Sequence, residues 1–407
     1  MSLNRLKALD QKFRKLNHRR IILMRRWRLQ LLKLFLDQRL DPLETTLRPE
    51  KGRDQVLRII ILRTDGKLGD SITSTYLLSG LKTLFPEGNL TVVSQPEYKN
   101  LFWGLADDYI PFRLQFTNAI KFFLKNKQTY DLLINTSHIL SPSSILLSRF
   151  IPATKKISFL NDEWKLYSGH IDFDLNTAHI TERYNALLRA LSQKTIPALS
   201  YRYQLETRAK DKVNELLTER KTQHPYRQLI VINSFAGARL RNLNLQTTQS
   251  LVQGLSAHFP ESLIVSIGNV GDLRMINRWQ AELHNPQWTY FNYGSLDFNA
   301  ALVAAADLVI SPDTSIVHMA CALKKKLVAI YREDVTEEKN RMIWGPFGTE
   351  FVEVVAPKMS PENEDGDINS VNIPEVLNAS IKLLSSSSED SHDESCKPAS
   401  LLTTLPN

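Results

Sequence analysis

The chain has 407 residues, 43% of them hydrophobic and 23% charged; that is room for two or three folded domains and excludes general disorder. Two cysteines, Cys321 and Cys396, exclude a disulfide framework or a thiolate metal site and point to a reducing compartment. The net charge is +8, but residues 1–55 hold 15 Lys/Arg against 6 Asp/Glu, a net of +9, which leaves −1 for the rest; with no basic groove in the body, a nucleic-acid partner is not expected.

Residues 1–55 read as a basic amphipathic helix and a linker. Leu23, Trp27, Leu31, Leu34 and Phe35 fall near one helical face, with Arg19, Arg26 and Lys33 on others. Such a helix either packs on a domain or lies on an anionic membrane, so residues 19–36 are a candidate membrane contact. No apolar run approaches the roughly 20 residues of a spanning helix, and the N-terminus lacks the apolar core and cleavage site of a signal peptide. The expected location is cytoplasmic, peripheral to a membrane.

From residue 56 the texture changes. Val56 to Leu62, Leu90 to Ser94, Asp131 to Asn135 and Lys156 to Phe159 read as strands, with a helical pattern from about Ser71 to Phe85 between the first two. Residues 179–220 look helical in two segments, interrupted between Pro197 and Tyr203. The pattern then restarts, with strands at Leu229 to Asn233, Leu263 to Ile267, Leu308 to Ile310 and Leu327 to Ile330. Alternation of this kind predicts an α/β protein with two doubly wound, Rossmann-like domains, at 56–200 and 201–384. Pro374 to Leu384 reads as a closing helix, and the Ser-rich, acidic residues 385–407 as a disordered tail.

Three stretches at predicted strand ends carry polar chemistry, where ligands bind in doubly wound folds. The first is Arg63-Thr64-Asp65-Gly66-Lys67-Leu68-Gly69-Asp70-Ser71. Asp70 there is either a helix cap or an acid facing a cleft. The second is Asn233 to Arg241, small residues with Arg239 and Arg241 able to neutralise a pyrophosphate. The third is Ser311-Pro312-Asp313-Thr314-Ser315-Ile316-Val317-His318, at a predicted helix N-terminus. It is either a polar capping turn over a packed histidine or a phosphate site, with His318 one turn in. The glycine fingerprint of nicotinamide dehydrogenases is absent. Asp172-Phe173-Asp174 has the look of a D-x-D metal motif but falls away from these loops, and His170 and His179 read as surface residues. Glu364-Asp365-Gly366-Asp367 lacks the spacing of a calcium loop. No metal is expected.

The combination resembles glycosyltransferase family 9, whose best-known members are lipopolysaccharide heptosyltransferases, over about residues 56–384. Ile60 to Asp65 followed by Leu68-Gly69-Asp70 is similar to the family's opening strand and R-x-D-x-x-G-D loop, here one residue longer, and Phe85-Pro86 fits the end of its first helix. Asn233 to Arg241 looks like the N-P-G-A-G…K-R-W-P region. Ala306 to Leu323 looks like A-D-L-V-I-G-P-D-T-G-x-x-H-x-A-A-A-L. Ser234-Phe235 stands for Pro-Gly, Leu243-Asn244 for Trp-Pro, and Ser315 for a glycine.

The resemblance implies a GT-B fold, two such domains facing a cleft, acceptor bound by the first and nucleotide sugar by the second. It implies Asp70 as catalytic base, Asp313 as a sugar-contacting acid, and Thr314 and Ser315 as the phosphate-binding turn. Arg241 would face the donor phosphates and Asp272 the nucleotide ribose. The implied reaction is inverting transfer of heptose from ADP-heptose to the lipopolysaccharide inner core, at the inner face of the bacterial inner membrane. Other readings are a family 9 transferase using a UDP- or ADP-linked hexose or a protein acceptor, and a non-catalytic nucleotide-sugar-binding membrane scaffold.

Overall fold

The computed structural model describes residues 20–37 (apart from 21, 22 and 25), 56–113, 122, 128–137, 141–159, 164–168, 171, 173–192, 195–333, 340–358 and 367–385. Two compact units divide the chain. The first runs to Gln204 and takes back the segment ending at Gly345; the second begins at Leu205 and resumes at Pro346.

The first unit is built on β1 (Arg58–Leu62), β2 (Asn89–Ser94), β3 (Asp108–Pro111), β4 (Tyr130–Asn135) and β5 (Ala153–Ser158), all parallel in the order β3-β2-β1-β4-β5. Strands buried on both faces need apolar residues at every position, which is why Ile59-Ile60-Ile61-Leu62 reads as an unbroken run. Its core gathers Ile60, Leu62, Val93, Leu133 and Leu147. Helix α1 (20–36) precedes the sheet, α2 (Leu68–Leu84) follows β1, α3 (Pro142–Phe150) follows β4, and α4 (Ile180–Leu191) follows β5.

Helix α2 is buried on nearly every side, yet carries Thr73, Ser74, Thr75 and Ser79. Each hydroxyl donates to a carbonyl three or four residues back, so none is left unsatisfied. Gly80 lets α4 approach closely: a Cβ there would lie 2.4 Å from Leu188 Cδ1. His179, read as a surface residue, is the half-buried N-cap of α4. Its Nδ1 accepts from the Thr181 amide, and its Nε2 lies 3.2 Å from the Gly345 carbonyl in the returning segment.

The second unit opens with α5 (Thr207–Gln223), followed by β6 (Gln228–Asn233), α6 (Leu245–His258), β7 (Ser262–Ile267), α7 (Val270–Gln280), β8 (Trp288–Tyr290), α8 (Leu296–Ala305), β9 (Leu308–Pro312), α9 (Ser315–Ala322), β10 (Lys326–Arg332), β11 (Phe351–Ala356) and α11 (Ile373–Ser385). The short α10 (Asn340–Ile343) belongs to the first unit. The six strands are parallel, in the order β11-β10-β9-β6-β7-β8. Leu251, Val252 and Leu255 of α6 and Val376, Ala379 and Leu383 of α11 pack on Ile230, Ile264 and Val328.

Helix α1 turns Leu29 and Leu32 onto Ile145, Trp164, Leu166 and Tyr167 of the first unit. Asp37 accepts from the Leu166 amide at 3.1 Å, and Lys33 Nζ sits 5.6 Å from the centre of the Trp164 ring. Among the described residues no helix is long and apolar enough to cross a membrane. The expected linker after α1 and the acidic tail lie outside the described residues.

Candidate active site

In both sheets the chain reverses direction of travel at one point, between β1 and β4 and between β6 and β9. Connections leave such a pair in opposite senses and open a crevice beyond the strands' carboxyl ends. The motif loops lie at these two edges.

At the first edge Arg63 is the residue after β1 and is wholly buried. Its Nη1 donates to the carbonyl of Thr136 at 2.6 Å and to its hydroxyl at 3.0 Å, tying the loop after β1 to the one after β4. Its Nη2 donates to Asp65 Oδ2 at 3.0 Å and lies 2.8 Å from Asp70 Oδ2. The second contact is a close ion pair whose alignment is too oblique for a hydrogen bond. The loop turns at Gly66, φ +73°, where a Cβ would lie 2.1 Å from Gln95 Nε2. Tyr98 holds the turn by donating to the Gly66 carbonyl at 3.0 Å.

Helix α2 begins at Leu68, three residues before the predicted start, with Lys67 as an N-cap that makes no side-chain bond. Asp70 therefore sits inside the first turn, buried, and does not cap it; it pairs instead with Arg63, a contact the sequence did not suggest. Burial pushes both carboxyls up. For Asp70, Arg63 and Lys67 more than offset that and hold it below the ordinary carboxylate range. For Asp65, burial outweighs Arg63, and the neighbouring Asp70 charge adds to it, so it is raised to about 6.

At the second edge Asn233, the last residue of β6, donates through Nδ2 to Ser311 Oγ and Thr314 Oγ1, each at 3.1 Å. Thr314 caps α9 by accepting from the Ile316 amide, leaving Ser315 as the first helical residue. Serine replaces glycine here without strain: among the described non-glycine residues only Lys324 has positive φ. Arg241 Nη1 reaches across to Asp313, 2.8 Å from Oδ2 and 3.1 Å from the carbonyl oxygen. Both side chains are about a third exposed, so the pair contributes little to stability but aims the guanidinium at the turn. An arginine thus bridges the loops at each switch point.

The structure brings Arg241, Asp313, Thr314 and Ser315 together. His318 lies one turn inside α9 and is buried. Asp272 stands at the same sheet edge one strand over, in the first turn of α7, where it accepts from the Asn269 amide at 2.9 Å. Of the D-x-D pair, Asp174 is exposed and accepts from the Asn176 amide and the Thr177 hydroxyl; Asp172 lies outside the described residues. Sequence reasoning quoted Arg63 and Asp65 but gave them no role. Their signal was the spacing R-x-D directly after a buried strand. Asn233 opened the second motif but was given no role of its own, and nothing local marked Thr136.

The model of glycosyltransferase family 9 (heptosyltransferase) matches residues 273–365. A curated relative, "Putative lipopolysaccharide heptosyltransferase 4" of Escherichia coli (strain K12), is 24% identical over 208 residues, 51% of this chain. The match spans about half the length of that relative, 52%. Among solved structures, the glycosyl transferase family 9 protein from Veillonella parvula DSM 2008 superposes with a TM-score of 0.67 at 17% identity, covering 81% of this chain and 97% of its own. The E. coli ADP-heptose lps heptosyltransferase II gives 0.60 at 17% identity, covering 82% and 100%. Residues 273–365 match the family 9 model, and the chain has the GT-B fold of these solved structures.

Proposed function

We propose that this chain is an inverting glycosyltransferase that moves heptose from ADP-heptose to the lipopolysaccharide inner core. The observation that carries the reading is the second-unit edge, where Arg241 is aimed at the capped N-terminus of α9 beside Asp313. Free helix N–H groups and a guanidinium suit the charge that builds on a departing diphosphate. No metal is assigned to that step. Asp313 would contact the sugar, Thr314, Ser315 and His318 the phosphate side, and Asp272 the ribose. Asp70 would take the proton of the acceptor hydroxyl as its oxygen attacks the anomeric carbon from the face opposite the diphosphate. The relatives' names, with ADP-heptose in one of them, support the donor.

A second donor reading has its own support. Phe235, where the family has glycine, is buried and stacks on Trp279 at 5.3 Å, and Leu243 is buried in the same core. Two large apolar side chains thus stand in the candidate donor loop where the resemblance has other residues, which favours testing UDP- and ADP-linked hexoses beside ADP-heptose. Transfer from ADP-heptose to truncated lipopolysaccharide, at a rate well above the hexose donors, is the expected result. Transfer from a hexose donor alone would replace the heptose assignment.

The proposed place of action is the inner face of the inner membrane, through α1. At 100° per residue, Leu23, Trp27 and Leu34 fall opposite the packed Leu29 and Leu32 and Phe35 falls to one side, and all four are exposed, Leu34 by 77%. Arg26 and Lys33 border this stripe on one side and Arg28 on the other. Outward apolar side chains between basic borders suit an anionic lipid surface.

A further inference from the structure

We propose that Asp65 and Asp70 work as one proton-sharing pair on Arg63, Asp70 receiving the proton of the attacking hydroxyl and Asp65 passing it toward solvent. The inference rests on the reading of Asp70 as the base and adds a positioning residue to it.

The geometry is specific. A single nitrogen, Arg63 Nη2, is 3.0 Å from one carboxylate oxygen and 2.8 Å from the other. Two acids held on one nitrogen cannot lose their protons independently. The other terminal nitrogen, Nη1, is fixed by Thr136, so Arg63 cannot follow either acid away. The remaining groups facing the pair are Lys67 on the same loop, Tyr98 on the neighbouring 3₁₀ turn and Tyr184 from α4. Only Lys67 among these adds positive charge.

An acid paired with arginine is a weak base, and alone it would hold a transferred proton poorly. In the proposed step the acceptor O–H bond breaks and its electrons form the new bond from oxygen to the anomeric carbon. The bond from that carbon to the diphosphate breaks, and its electrons leave on the diphosphate. The proton goes to Asp70, and the pair as a whole then carries it. Asp65 is the more exposed member, with 18% side-chain exposure against 11%, so it is the side on which the proton exits. Burial and the Asp70 charge, which raise its carboxyl to about 6, support this order.

The test has two arms. In the first, the carboxyl infrared band of the protein alone is titrated from pH 4 to 8, without substrate. The wild type should lose one protonated-carboxyl band with a midpoint near 6, and Asp65→Asn should lack that transition. A wild type with no carboxyl titrating between about pH 5 and 7 overturns the proposal without any variant. In the second, kcat/KM is followed against pH with ADP-heptose and truncated lipopolysaccharide. Asp65→Asn should move the acid limb at least one pH unit lower and drop the plateau about 10-fold, with Asp65→Glu restoring the limb. An unmoved limb in a folded Asp65→Asn protein also overturns the proposal. Absence of wild-type turnover beside an intact infrared transition would instead count against the donor assignment.

Discussion

Arg63→Met removes the side chain that ties the loop after β1 to the loop after β4. The substitution keeps the length of the buried stem but leaves Asp65 and Asp70 without their common counter-ion, and the Thr136 carbonyl without its donor. Breaking a buried ion pair from one side costs about 3–5 kcal/mol, because the remaining charge stays buried. Lys67 still attracts both acids, and Asp65 can recruit water through its exposed edge, so the lower end applies, about 3 kcal/mol at pH 7. That corresponds to a roughly hundredfold rise in the opening equilibrium of the first unit.

Amide hydrogen exchange of β1 and β4 reads this locally, since both strands belong to that unit. The pH dependence gives a second handle. Without Arg63 the Asp65 carboxyl rises further and the Asp70 carboxyl moves from below the unfolded-chain value to above it. The deficit is largest above the variant's folded-state values and shrinks as pH falls through them. The deficit should therefore shrink as pH falls from 7 towards 4.5. A deficit under about 1 kcal/mol at pH 7, or one that stays constant with pH, would refute the assignment of Arg63 as counter-ion to a buried pair.

Other perturbations probe separate parts of the account. Arg241→Met should weaken ADP binding by about tenfold or more, as loss of a charge-assisted contact worth roughly 1.5–3 kcal/mol, while leaving the melting temperature nearly unchanged because its ion pair, about a third exposed, contributes little to stability; equal affinity by calorimetry would remove it from the donor site. Gly66→Ala must place a Cβ at positive φ and against Gln95, costing about 1–2 kcal/mol in the backbone alone, and should lower kcat more than stability by shifting the loop that carries Asp65. Leu34→Glu with Phe35→Glu should abolish sedimentation with vesicles containing anionic lipid and leave folding intact. Binding unchanged by these two charges, or equally strong to zwitterionic vesicles, would contradict the membrane role of α1.

The sheets were legible because their central strands are buried on both faces and so appear as continuous β-branched runs. The strands that sequence reasoning did not mark are at the edges or short: β3, half exposed; β8, three residues; and β11, with Glu353 in its middle. An edge strand needs only one apolar face, and over four to six residues that pattern is hard to tell from a loop. The return of Asn340 to Gly345 to the first unit was invisible, since packing and not local propensity places it. At the candidate site, motif spacing singled out Asp70, Arg241, Asp313, Thr314 and Ser315. It could not show that Arg63 binds two acids at once or that Asn233 joins β6 to the α9 cap. The Arg63–Thr136 bond that fixes the guanidinium between those acids spans 73 residues of chain and the Asn233–Thr314 bond 81, and both exist only after the strands pair.

The central claim is that Asp70 is the base of a sugar transfer from ADP-heptose. Its most direct test is single-turnover transfer to truncated lipopolysaccharide by the wild type and by Asp70→Asn, with ADP affinity measured on the same preparations. The account predicts a rate lower by about 100- to 10,000-fold in Asp70→Asn with ADP binding unchanged. An Asp70→Asn protein that transfers heptose at close to the wild-type rate would contradict it.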